Sequence, residues 1–115
     1  MTFAVTLAMI EAAAARLTPV IRETPMLHSA KLDAIAGRRV LVKAECLQHT
    51  GSFKFRGGWA AISALPENVA ETGVIAYSSG NHAQGVALAA RMHGVPAVII
   101  MPSDAPAIKI EPSNA

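Results

Sequence analysis

Two short stretches of this sequence carry side chains whose types and order could do chemistry. The first is Thr50-Gly51-Ser52-Phe53-Lys54-Phe55-Arg56-Gly57-Gly58. If Ser52 caps a following helix, Lys54 and Arg56 fall in its first turn, where the backbone dipole is positive and each cation costs ~0.3–1 kcal/mol. Gly57 and Gly58 weaken the same helix by about another 1 kcal/mol each relative to alanine. A segment that breaks two local rules at once is a candidate functional site. The chemistry that gains from this placement is amine nucleophilicity. A helix N-terminus and partial burial both disfavour the ammonium form, which lowers the lysine pKa and exposes a lone pair for attack on a carbonyl. Schiff-base formation with an aldehyde cofactor needs that. The segment also reads as a solvated lysine at a frayed helix start, because tertiary context overrides propensity.

The second stretch is Ser78-Ser79-Gly80-Asn81-His82, between the apolar run Val74-Ile75-Ala76-Tyr77 and the helix-favouring residues 83–94. The carboxyl end of a strand is where ligands bind in open α/β sheets. Free amides at a helix start, with Gly80 allowing close approach, suit a carboxylate or phosphate. Two hydroxyls and a carboxamide add neutral hydrogen-bonding groups. An ordinary capped βα turn has the same composition.

Other chemistries fit these residues less well. A serine hydrolase needs a strained Gly-x-Ser-x-Gly elbow, which is absent, and no acid is placed to orient His82. His82 and His93 share a helical face, but the rise between them puts them about 16 Å apart, too far for one metal ion. No metal site is expected. His28 and His49 read as surface or packed histidines, Cys46 as a small apolar packing residue, and Trp59 and Met92 as core. Neither a Walker nor a Rossmann glycine pattern occurs.

The elements that must position the two stretches follow from periodicity and punctuation. Residues 6–17 favour helix, with Thr6 as cap and Pro19 beyond the end. Met26 to His28 reads as a short strand, and Ser29 caps a brief helix that stops at Gly37. Arg39 to Glu45 is a β-branched apolar run expected to be a strand. Helix is expected from Phe53 to Pro66, strand over 74–77, helix over 83–94 closed by Gly94, and strand over 96–102. Strands alternating with helices argue for an α/β fold with an open parallel sheet of about three strands. A further helix is expected to open after Pro102.

The 115 residues are enough for one domain, and 52% hydrophobic against 16% charged excludes general disorder. Net charge is +2 with no basic run of five, so nucleic acid is not expected as a partner. Neither an export signal nor an apolar run of membrane-spanning length is present, and the single cysteine fits a reducing compartment. A cytoplasmic chain with no membrane partner is expected. About three strands would leave a sheet edge open and apolar surface wet, so residues 1–115 read as the beginning of a larger domain, incomplete at the C-terminus.

Taken together, KAECLQHTGSFKFRGG (43–58) and SSGNHAQGVALAA (78–90) resemble the fold-type II pyridoxal-phosphate enzymes. Within them the chain is most similar to the serine/threonine dehydratases (threonine ammonia-lyases) and their serine racemase relatives. The sulfhydrylase branch usually has threonine after the asparagine, where this chain has His82-Ala83-Gln84. The resemblance implies the N-terminal part of a tryptophan synthase β-like fold, with pyridoxal 5'-phosphate as cofactor. It makes Lys54 the Schiff-base lysine, Phe53 a residue packed on the cofactor ring, and Asn81 a hydrogen-bond donor to the cofactor's phenolic oxygen. Ser78, Ser79, Gly80, Asn81 and His82 become the loop for the substrate carboxylate, and Ser79 also a catalytic acid/base. The implied activity is ammonia release from serine or threonine, with serine racemisation or an inactive remnant as alternatives. The implied full-length assembly is a homo-oligomer. The family's later glycine-rich phosphate loop and pyridine-nitrogen partner have no counterpart here, and residues 111–115 leave the family pattern.

Overall fold

The computed structural model describes residues 4–107. Helix α1 (Leu7–Leu17) starts where expected, with the Thr6 hydroxyl accepting the Met9 N–H at 3.3 Å. Strand β1 (Met26–Leu27) precedes helix α2 (Ala30–Ala36), which ends on left-handed Gly37. Strand β2 (Val42–Lys43) leads into two single 3-10 turns, Glu45–Leu47 and His49–Gly51. Helix α3 (Lys54–Ile62) and the short α4 (Glu67–Thr72) come next. Strand β3 (Val74–Tyr77), helix α5 (Asn81–His93) and strand β4 (Ala97–Ile100) complete the βαβ unit. The helix expected after Pro102 falls largely outside the described residues.

The fold is α/β, but the sheet differs from the expectation of about three parallel strands. β3 and β4 pair in parallel, Val74 opposite Ala97 through Tyr77 opposite Ile100. The run 39–45 supplies only β2, which pairs antiparallel with β1 in a separate ribbon. A β-branched run sets local extension and leaves partner and direction to tertiary contacts. α4 was not expected from sequence: Pro66 and Gly73 bracket a six-residue segment with no apolar stripe to announce it.

The core is built where α3 crosses α5. Phe55, Trp59 and Ile62 of α3 pack against Val86, Ala89 and Ala90 of α5, with Leu17 and Val95 at the margins. The Trp59 ring stacks on His93 at 4.0 Å between centroids, and its indole N–H donates to the Arg16 carbonyl at 3.0 Å. Arg16 in turn reaches the Ser63 hydroxyl and the Ala60 carbonyl, which fastens α1 across α3. Met92, expected in the core, is exposed, as is Cys46: both side chains point off the faces that pack. Val74, Ala76 and Ile99 of the parallel pair face this core, while Ile75, Tyr77, Val98 and Ile100 present the opposite face to solvent. Among the described residues no helix is long and apolar enough to cross a membrane.

The two glycines of α3 have different reasons. A Cβ on Gly58 meets the Gly85 carbonyl oxygen at 2.9 Å, and one on Gly85 meets the Lys54 carbonyl carbon at 2.8 Å. The helices therefore cross backbone against backbone, and glycine's low helix propensity is outweighed by that approach. A Cβ on Gly57 meets nothing within 4 Å.

Candidate active site

Lys54 opens α3, and the extended Ser52 accepts the Lys54 N–H on its hydroxyl at 3.3 Å. Phe53 is the flanking residue, with 59% of its surface exposed, and the Lys54 ammonium lies 5.0 Å from the centre of its ring. Behind them Thr50 sits at φ 60°, an uncommon conformation for a branched side chain, and its hydroxyl is buried with no partner among the described residues. The turn that presents the lysine is thus tightly constrained.

Its anchor is Gln48, a residue with no signal in the sequence. The side chain is buried, accepts the Arg22 and His49 N–H groups at 3.0 and 3.1 Å, and donates to the Arg22 carbonyl at 2.8 Å. One carboxamide takes both backbone groups of Arg22, as a neighbouring strand would. His49 adds a contact to the Val20 carbonyl at 2.9 Å and packs its ring edge-on against Phe55.

The second cation of the first turn, Arg56, is not a free charge. It forms a two-pronged ion pair with Glu45, at 2.7 and 2.9 Å. The Glu45 carboxylate also accepts the Thr24 hydroxyl. Hydrogen bonding from Arg56, opposed by burial and helped by Thr24, holds the Glu45 carboxyl down at about 2, and the same bond raises the Arg56 pKa.

The Ser78–His82 segment is split between loop and helix. Ser78 donates its N–H to the Ile100 carbonyl at 3.0 Å, and its hydroxyl accepts the Gly80 N–H at 3.2 Å. Gly80 flanks α5, so Asn81 and His82 belong to the first turn of that helix and not to the loop. Lys54, Ser78, Ser79 and His82 line one cavity of about 680 Å³, together with Tyr77, Ile100, Met101 and Pro102. Lys54 and His82 also border an apolar hollow of about 450 Å³ with Phe53, Gly57 and Val86. Gly80 and Asn81 stand beside the cavity and do not line it. Tyr77, Met101 and Pro102 escaped the sequence reading because strand ends carry no chemical signature. Among the described residues no group of three His, Cys, Asp or Glu side chains gathers as a metal ligand set.

This donor set suits an aldehyde-bearing aromatic cofactor. A primary amine and an exposed phenyl face adjoin a cavity within the usual size range of small-molecule sites, with hydroxyls and a helix start beside it. Residues 17–115 match the sequence profile of a family described as pyridoxal-phosphate dependent enzyme. L-threo-3-hydroxyaspartate ammonia-lyase from Pseudomonas sp is 54% identical over 98 residues, 85% of this chain and 31% of that protein. L-threonine ammonia-lyase from Thermotoga maritima is 46% identical over 106 residues, 92% of this chain and 26% of that protein. The structure of maize serine racemase superposes with a TM-score of 0.89 at 42% identity, over 97% of this chain and 34% of that one. The chain spans about a third or less of the proteins it matches. With Lys54 at the head of a glycine-rich helix and Ser78 and Ser79 on the wall of the same cavity, the chain belongs to the pyridoxal-phosphate dependent enzyme family.

Proposed function

We propose that the protein carrying this chain is an ammonia-lyase that converts a small β-hydroxy amino acid, serine or threonine, to a 2-oxo acid and ammonia. The observation that carries the reading is the shared cavity of Lys54 with Ser78, Ser79 and His82. In this reading Lys54 holds the cofactor through its Nζ and, once released, takes the substrate α-proton on the same nitrogen. Phe53 supports the ring and Asn81 bonds its phenolic oxygen. Ser78, Ser79 and Gly80, with the backbone N–H groups at the start of α5, bind and orient the substrate carboxylate. Pyridoxal phosphate supplies the electron sink for the carbanion. The β-hydroxyl leaves with a proton as water, and the released enamine takes up water to give the 2-oxo acid and ammonia.

The substrates named in the two ammonia-lyase relatives, 3-hydroxyaspartate and threonine, share that β-hydroxyl. A second reading, serine racemisation, draws support from the superposition on maize serine racemase and from Ser79 on the cavity wall, a hydroxyl able to serve as a second acid/base. The two are separated by incubating the protein with L-serine and L-threonine and measuring ammonia beside the serine enantiomers. Lys54→Ala is expected to abolish whichever activity is found, together with the visible absorbance of lysine-bound cofactor. Normal turnover in that variant overturns the assignment.

A further inference from the structure

The sequence places two cations in the first turn of α3, and the structure gives them unlike partners. Arg56 is drawn to Glu45 by two hydrogen bonds, and Glu45 is held to Thr24 on the far side. Lys43 donates to the Thr24 carbonyl at 3.0 Å, so residues 24, 43–45 and 56 close on one another. Both acid and guanidinium are largely sheltered, with side-chain exposures of 16% and 27%. Glu45 and Arg56 stand at either end of the lysine turn, and the span between them contains Thr50, Gly51, Ser52, Phe53 and Lys54.

Residues two apart on a helix point about 200° from each other. A pull on Arg56 therefore turns Lys54 toward the other side of the helix, and Lys54, not Arg56, lines the cavity with Ser78, Ser79 and His82. Glu45 also cancels one of the two charges that oppose the helix dipole, leaving Lys54 as the one without a carboxylate partner among the described residues. A two-pronged carboxylate–guanidinium contact fixes an angle as well as a distance.

We propose that the Glu45–Arg56 pair is a positioning device for Lys54, fixing the roll of the first turn of α3 and so the direction from which the amine enters the cavity. The proposal rests on Lys54 being the cofactor lysine. The protein is freed of cofactor, exposed briefly to pyridoxal phosphate and treated with borohydride, and the labelled lysine peptides are quantified by mass. The parent is expected to label at Lys54 in preference to Lys31 and Lys43. Glu45→Gln and Arg56→Gln are each expected to lower capture at Lys54 about tenfold while label on Lys31, which lies outside the cluster, stays level, because misplacing a reacting group by a fraction of an ångström loses that much. Arg56→Lys keeps the charge without the fork and is expected to fall between. The reversed pair Glu45→Arg with Arg56→Glu is expected to recover at least half of the loss. Parent-like capture in the folded glutamine variants overturns the proposal. If those variants do not fold, parent-like capture in folded Arg56→Lys overturns it. If Lys54→Ala leaves the labelling pattern unchanged, the cofactor-lysine reading itself fails, a result distinct from the others.

Discussion

Replacing Gly85 with alanine tests the claim that the α3–α5 crossing sets the lysine in place. The added methyl lies 2.8 Å from the Lys54 carbonyl carbon and 2.9 Å from both the Lys54 oxygen and the Phe55 nitrogen. All three are backbone atoms, so no side chain can rotate out of the way. Ordinary contact begins near 3.4 Å, and the helices must part by about 0.6 Å. Overpacking of this kind costs ~1–3 kcal/mol, while alanine's preference for helix returns ~0.5–1 kcal/mol. The net is ~0–2.5 kcal/mol of destabilisation, and its centre, ~1.2 kcal/mol, lowers the thermal midpoint of a domain of this size by about 5–10 °C. The displaced atoms belong to Lys54 itself, so capture of pyridoxal phosphate at that residue should fall severalfold in protein that is still folded. Gly57→Ala is the control. Its methyl enters open space, and stability should hold or rise by up to ~1 kcal/mol. Thermal melts followed by circular dichroism, with peptide mapping of the labelled lysine, read both effects. A Gly85→Ala protein that melts with the parent and captures cofactor equally well refutes the reasoning.

Asn81→Ala should weaken cofactor binding or shift its absorbance, because a hydrogen bond to a charged oxygen contributes ~1.5–3 kcal/mol, whereas Ser79→Ala should act on substrate handling; unchanged spectra and kinetics in both would reduce the segment to a helix cap. The Glu45 carboxyl is held at about 2 against an ordinary 4.5, so the stability it contributes is complete above pH 4.5 and is lost as the pH falls toward 2. The urea midpoints of the parent and Glu45→Gln should accordingly converge over that window, and a constant gap would contradict the pairing. Gln48→Ala strands the Arg22 N–H and carbonyl and should destabilise by about 2 kcal/mol; a melt matching the parent would show that the carboxamide anchors nothing.

Much of the scaffold could be read from local chemistry. Thr6, Gly37 and Gly94 mark helix ends through capping rules that need no tertiary information, and they stand where the structure puts them. Lys54, Ser78, Ser79 and His82 were reachable because their types and order suggest one chemistry, and they line one cavity. What escaped notice depends on distant contact. The pairing of β2 with β1, Gln48 reaching Arg22 and Glu45 reaching Arg56 have no periodic signature, since each joins residues whose spacing means nothing until the chain folds. Gly58 was legible as a weakness of its helix, but its contact with Gly85 was not, because a glycine declares missing bulk without naming what fills the space.

The contacts that aim Lys54 come from both sides of it in the chain, and this orders events during synthesis. The ties upstream, Gln48 to Arg22 and Glu45 to Thr24, span 26 and 21 residues and can close as soon as the lysine turn has emerged. The crossing with α5 cannot, because Asn81–His93 is translated after it. Until that helix leaves the ribosome, Phe55 and Trp59 lack the Val86, Ala89 and Ala90 surface they pack against, and one wall of the cavity does not exist. Non-local contacts of this kind form late. On the proposed role of Lys54, a nascent chain therefore carries its amine well before it owns a place to use it, and cofactor capture at Lys54 should become a marker for the completion of α5.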